Sequence, residues 1–123
     1  MDNKIQERLL TAELVRKALL GFLPVREALL MFPADTKDKS IQAAFFALLH
    51  LAADEDLRKQ DILYREEQDE YLEMISQTLE SGKDLPDNII KAYEKYYKEA
   101  NIPHANTFVG KLKSFFRYMN ISK

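Results

Sequence analysis

The chain has 123 residues, 46% hydrophobic and 31% charged, with a formal net charge of −2 and no cysteine. That is one domain's worth of chain, able to bury a core without staples, and it excludes a disulfide scaffold, thiolate zinc sites and cysteine catalysis. Leu and Ala together number 29 against 7 for Val and Thr, with only 3 Gly and 4 Pro, so residues 1–123 read as a single all-α domain.

The first helix is expected over residues 3–20. Its apolar residues Ile5, Leu9, Ala12, Leu14, Val15, Ala18 and Leu19 fall at helical spacing, and Glu13 and Lys17 form an i,i+4 pair on the polar side. Gly21 ends it in the left-handed conformation that glycine tolerates. Pro24 opens a short second helix, 25–32, apolar nearly all round, which stops before Pro33. Asp35, Thr36, Asp38 and Ser40 all offer a cap for the third helix, and the pattern does not choose among them. That helix covers about 38–53. Within 40–53, 11 of 14 residues are hydrophobic, the exceptions being Ser40, Gln42 and His50. A helix apolar on every side belongs in the middle of a bundle, so Phe45, Leu48, Leu49 and Ala52 are expected in the core. The run is too short for a membrane span, which takes about 18 residues or more.

From 54 to 73 the composition switches to nine acids and three bases. Tyr64, Gln68, Tyr71, Leu72, Ile75 and Leu79 repeat at helical spacing there. They predict a long surface-facing helix over 62–81, with Asp61 as its N-cap and Gly82 beyond its C-terminus. A fifth helix over 87–100 carries Ile89, Ile90, Tyr93, Tyr96, Tyr97 and Ala100 on one face. Lys91, Glu94, Lys95, Lys98 and Glu99 take the other, with Glu94 and Lys98 placed to pair. Asn101 and Pro103 stop it. Asn106 or Thr107 caps a last helix to about Asn120, striped by Phe108, Val109, Leu112, Phe115, Phe116 and Met119. There is no repeat of fixed period and no hairpin signature. The expected fold is an irregular bundle of five to six helices with 40–53 at its centre.

The net charge hides a division. Residues 1–88 carry 11 bases and 18 acids, whereas residues 89–123 carry seven bases and two acids. The plainest reading is internal: the basic C-terminal helices lie near the acidic helix and neutralise it. The last helix, with three phenylalanines, is expected to fold back on the bundle and leave Lys111, Lys113 and Arg117 at the surface. A protein partner is the next reading, met through Tyr64, Glu67 and Tyr71 on the acidic helix and Lys111, Lys113 and Arg117 on the last. Nucleic acid is disfavoured, because the pI is 5.7 and no DNA- or RNA-binding signature is present. A membrane surface would suit a basic amphipathic helix, but docking on a core is the commoner fate of such a stripe.

Chemistry has little to work with. His50 and Asp54, spaced i,i+4, are the weak candidates for a metal site. His50 lies in the most apolar helix, where a hydrogen-bonded core histidine is the commoner case. His104 reads as a loop or capping residue. No Glu-x-x-His pair, phosphate loop, calcium loop or nucleophile elbow occurs, and no cofactor is expected. The start of the chain lacks a basic, apolar leader, which makes the cytoplasm the default. The expectation is a small cytoplasmic, non-catalytic interaction or regulatory protein, with a homodimer through apolar patches on the second and last helices as one form of it. A nucleic-acid or membrane-surface binder using the last helix is the alternative. A small metal-dependent enzyme around His50 and Asp54 comes third.

Overall fold

The helical periodicity is realised as six α-helices in a computed structural model, which describes residues 3–33 and 36–99, with side chains to Lys95. They are α1 (Asn3–Leu20), α2 (Val25–Leu30), α3 (Lys39–Ala53), α4 (Glu55–Gln60), α5 (Ile62–Glu80) and α6 (Asp87–Glu99). No strand occurs among the described residues. The expected last helix, with Lys111, Lys113 and Arg117, lies outside them.

Helix ends follow the local chemistry. Gly21 and Gly82 take φ of +83° and +79°. After Gly21, the Gly21 N–H donates to Ala18 O and the Phe22 N–H to Lys17 O. After Gly82, the same pair of bonds reaches Leu79 O and Thr78 O from Gly82 and Lys83. Both turns satisfy carbonyls that a helix end leaves open, at a backbone angle only glycine adopts cheaply. Among the four cap candidates for α3 the structure selects Asp38, whose carboxylate accepts from the Ser40 N–H. Asp61 caps α5 through the Tyr64 N–H, as expected.

The apolar helix is central. α3 touches every other helix, and residues 43–49 are buried without a break. Phe45, Leu48 and Leu49 are fully buried, whereas Ala52 is only half-buried near the helix end. Phe45 meets Phe32 and Phe46 edge to face, at 5.4 and 5.7 Å between ring centres, a favoured aromatic geometry. α1 and α5 make the most extensive pairing. They run antiparallel, because Arg8 reaches Gly82, Ala12 O accepts from Ser76 Oγ at 3.0 Å, and Arg16 faces Glu73. Leu72, Ile75 and Leu79 give α5 its core face. Each fully buried side chain of this kind contributes roughly 1.5–3 kcal/mol. No helix of the described residues is long and apolar enough to cross a membrane.

Three expectations need correction. The stripe of α1 is shifted, since Ile5 and Leu9 stay exposed while Arg8 and Thr11 are buried. The first two lie beside the face that meets α3 and α5, and Arg8 is accepted there because it is paired. α2 stops at Leu30, and the buried Phe32 follows in the turn. The acidic stretch contains a short helix that periodicity could not reveal, because α4 has six residues and none is buried. Glu94 meets Lys39 at 3.1 Å, across to α3; its expected pairing with Lys98 lies outside the described side chains.

Candidate functional site

Among the described residues, two polar knots and two surface features stand out as places where chemistry or binding can occur. The first knot sits where α3 gives way to α4. Asp54 closes α3, its N–H donating to His50 O at 2.9 Å, and its own carbonyl starts α4 by accepting the Arg58 N–H at 2.8 Å. Its Oδ2 accepts from the Tyr64 hydroxyl at 2.6 Å and from Gln68 Nε2 at 3.4 Å. Arg58 donates to Gln68 Oε1 and to Asp69 Oδ1, both at 2.7 Å. One turn earlier, His50 is half-buried with its ring 5.7 Å from Tyr93, which lies 6.5 Å from Tyr71.

Burial holds the His50 imidazole below its usual range, against the opposing charge of Asp54, so the ring is neutral at neutral pH. Donation to Asp54 pushes the Tyr64 hydroxyl up, and burial pushes Tyr71 and Tyr93 up, so all three remain protonated donors. A neutral imidazole and a carboxylate already accepting two hydrogen bonds make a fastener between helices. They hold no activated nucleophile. Among the described residues no group of three or more His, Asp or Glu side chains converges as a metal would require.

The second knot lies at the opposite end of the bundle. Arg8 is 3% exposed and Asp38 8%, and Arg8 grips Asp38 with Nε at 2.8 Å and Nη2 at 3.1 Å. Its Nη2 also reaches Asp84 at 2.6 Å, and its Nη1 donates to Gly82 O at 3.0 Å. One guanidinium thus joins α1, the cap of α3 and the loop into α6. Nearby, the Leu85 N–H donates to Ser40 Oγ at 2.9 Å.

The first surface feature is an open groove of about 550 Å³ along α1, lined by Leu9, Leu20 and Phe22 with Glu13, Arg16, Lys17 and Glu80. Its charges answer one another: Lys17 meets Glu13 at 2.8 Å and Arg16 meets Glu80 at 3.0 Å. The second is the outward side of α5, where Leu63 is 72% exposed and Glu66, Glu67 and Glu70 face solvent.

Of the residues singled out in the sequence, the structure gathers His50, Asp54, Tyr64 and Tyr71 into one cluster. Glu67 lies one turn from both tyrosines on α5, but its side chain is exposed and takes no part in the hydrogen bonds of the cluster. Arg58 and Asp69, which complete the cluster, carried no sequence signal, because their spacing to Asp54 and Gln68 is decided by the turn between α4 and α5. Arg8 was missed as well. Its one legible clue is position, since it falls three and four residues before the buried Thr11 and Ala12. No protein-family model, no curated protein and no solved structure matches this chain.

Proposed function

We propose that this chain is a non-catalytic interaction or regulatory module that receives an apolar helix face of a protein partner in the groove along α1. The observation that supports this reading is the row Leu9, Leu20 and Phe22, which are 46%, 60% and 78% exposed. Large apolar side chains held in water along one groove carry a hydration cost that a partner removes. The charges at the rim are paired within the chain, so the groove offers apolar area and little free charge. That composition suits a helix-in-groove contact and gives a phosphate nothing to bind. The cluster around Asp54 supports the non-catalytic side of the proposal, because its polar atoms are spent on one another.

A cytoplasmic setting belongs to the same proposal, as does a homodimer. Light scattering at tens of micromolar protein decides the latter, and a monomer mass removes it. The partner reading is tested with Phe22→Glu together with Leu20→Glu. Both side chains are exposed, so the variant should keep its helical circular dichroism and melting temperature. It should lose the proteins that the wild-type chain enriches in comparative purification from its own cells. Equal enrichment by both would overturn the proposal. The alternative, a nucleic-acid or membrane surface met by the basic residues of 106–120, predicts binding that weakens steeply with salt and survives the groove substitutions.

A further inference from the structure

Leu63, Glu67, Glu70 and Met74 follow one another at i, i+4, i+7 and i+11 and so form one ridge on α5. Leu63, Glu67 and Glu70 are exposed and Met74 is half-buried. The neighbouring arginines do not serve the acids of this ridge. Arg58 and Arg65 both turn to Asp69, at 2.7 and 3.9 Å. Among the described residues, Glu66, Glu67 and Glu70 have no ion-pair partner.

The course of α6 brings the rest of the chain to this place. The loop into α6 is tied to the N-terminus of α3 at Ser40, and α6 then runs toward the other end, where Tyr93 meets His50 and Tyr71. Tyr71 is one turn from Glu67 and from Met74 on the same helix. Glu99 ends α6 six residues past Tyr93, about 9 Å farther along the helix. Beyond it, residues 100–123 carry four bases and no acid.

We propose that residues 106–120 of this same chain occupy the α5 ridge. Their apolar stripe, Phe108, Leu112, Phe115 and Met119, lies against Leu63 and Met74. Lys111 and Lys113 flank the stripe on its two edges and meet Glu66, Glu67 and Glu70. The connection is long enough, since residues 100–106 reach roughly 23 Å when extended. Covalent attachment also supplies an effective concentration on the order of millimolar, which favours the chain's own segment over a second copy at micromolar concentration. This inference is independent of the groove along α1, which shares no lining residue with the ridge and is proposed for another protein.

The test uses the full chain, which has no native cysteine to interfere. Glu67→Cys with Lys113→Cys places a thiol on each side of the contact, and Lys17→Cys with Lys113→Cys is the control on α1. Under mild oxidation the first pair should close within one molecule, on the order of tenfold faster than the control. A disulfide formed between two molecules would assign the ridge to a second copy and overturn the proposal. Equal rates for the two pairs would overturn it as well. A charge swap gives an independent reading. Glu67→Lys with Glu70→Lys should lower the melting temperature, and adding Lys111→Glu with Lys113→Glu should restore more than half of the loss. Additive losses would refute the contact.

Discussion

Replacing Arg8 by Met removes the guanidinium and keeps most of the apolar stem, so the loss reports on charge and hydrogen bonding. Two carboxylates feel the change differently. Asp84 is 73% exposed and returns to water at little cost. Asp38 is 8% exposed and is left with the Ser40 N–H as its remaining donor. Removing one partner of a buried pair typically costs about 3–5 kcal/mol, because the other charge stays desolvated. For a domain of this size that is a fall in melting temperature of roughly 10–20 °C. The pH dependence carries a sign that a packing defect would not reproduce. In the native protein burial pushes the Asp38 carboxyl up, but the hydrogen bond and charge of Arg8, with the Ser40 N–H and the charge of Lys4, outweigh it and hold it below its ordinary value of 3.8. Its stabilisation is therefore complete above that value and is lost as pH falls through the lower folded value. In Arg8→Met the folded value moves up, because burial is then opposed only by the Ser40 N–H and the charge of Lys4. The deficit should thus shrink as pH falls through the carboxylate range and Asp38 takes up its proton, as followed in urea melts. Arg8→Met with Asp38→Asn, which keeps a capping oxygen, should recover much of the loss. A deficit under about 1 kcal/mol, or one independent of pH and of Asp38→Asn, would refute the argument.

Leu48 is fully buried in α3, and Leu48→Ala should cost about 2–5 kcal/mol in a denaturant melt. Burial lowers the His50 value from its ordinary 6.5, so the stability it contributes is whole above 6.5 and is lost as pH falls through the folded value. His50→Gln should accordingly flatten the stability curve between about pH 7 and pH 5, as followed by thermal melts. At Gly21 an added Cβ would meet nothing within 4 Å, so Gly21→Ala should cost only the left-handed backbone penalty, roughly 1–2 kcal/mol, and leave the structure unchanged by nuclear magnetic resonance.

Much of the candidate site was legible as residue types and little of it as geometry. His50 and Asp54 could be placed one turn apart on a helix, and Tyr64 and Tyr71 on one face of another. That these two faces meet depends on α4, a helix of six residues with no buried side chain. Hydrophobic periodicity reports burial, so it is silent about a segment that buries nothing. The acids show the same limit. Glu13 and Lys17 are neighbours on one helix and their pairing at 2.8 Å follows from helical spacing. Lys39 and Glu94 sit on different helices, and their meeting at 3.1 Å follows only from how α3 and α6 pack.

What this sequence determines alone is what local physics controls: where helices stop, because Gly21 and Gly82 supply a backbone angle other residues resist, and which helix is central, because 40–53 has no polar side to turn to water. Tertiary structure decided what depends on the approach of distant segments. Arg8 became a buried clamp because the cap of α3 and the loop after α5 arrive at the same place and supply Asp38, Gly82 and Asp84. A charge can leave water only where such partners converge, and that convergence is a property of helix packing, not of the residues next to Arg8 in the chain.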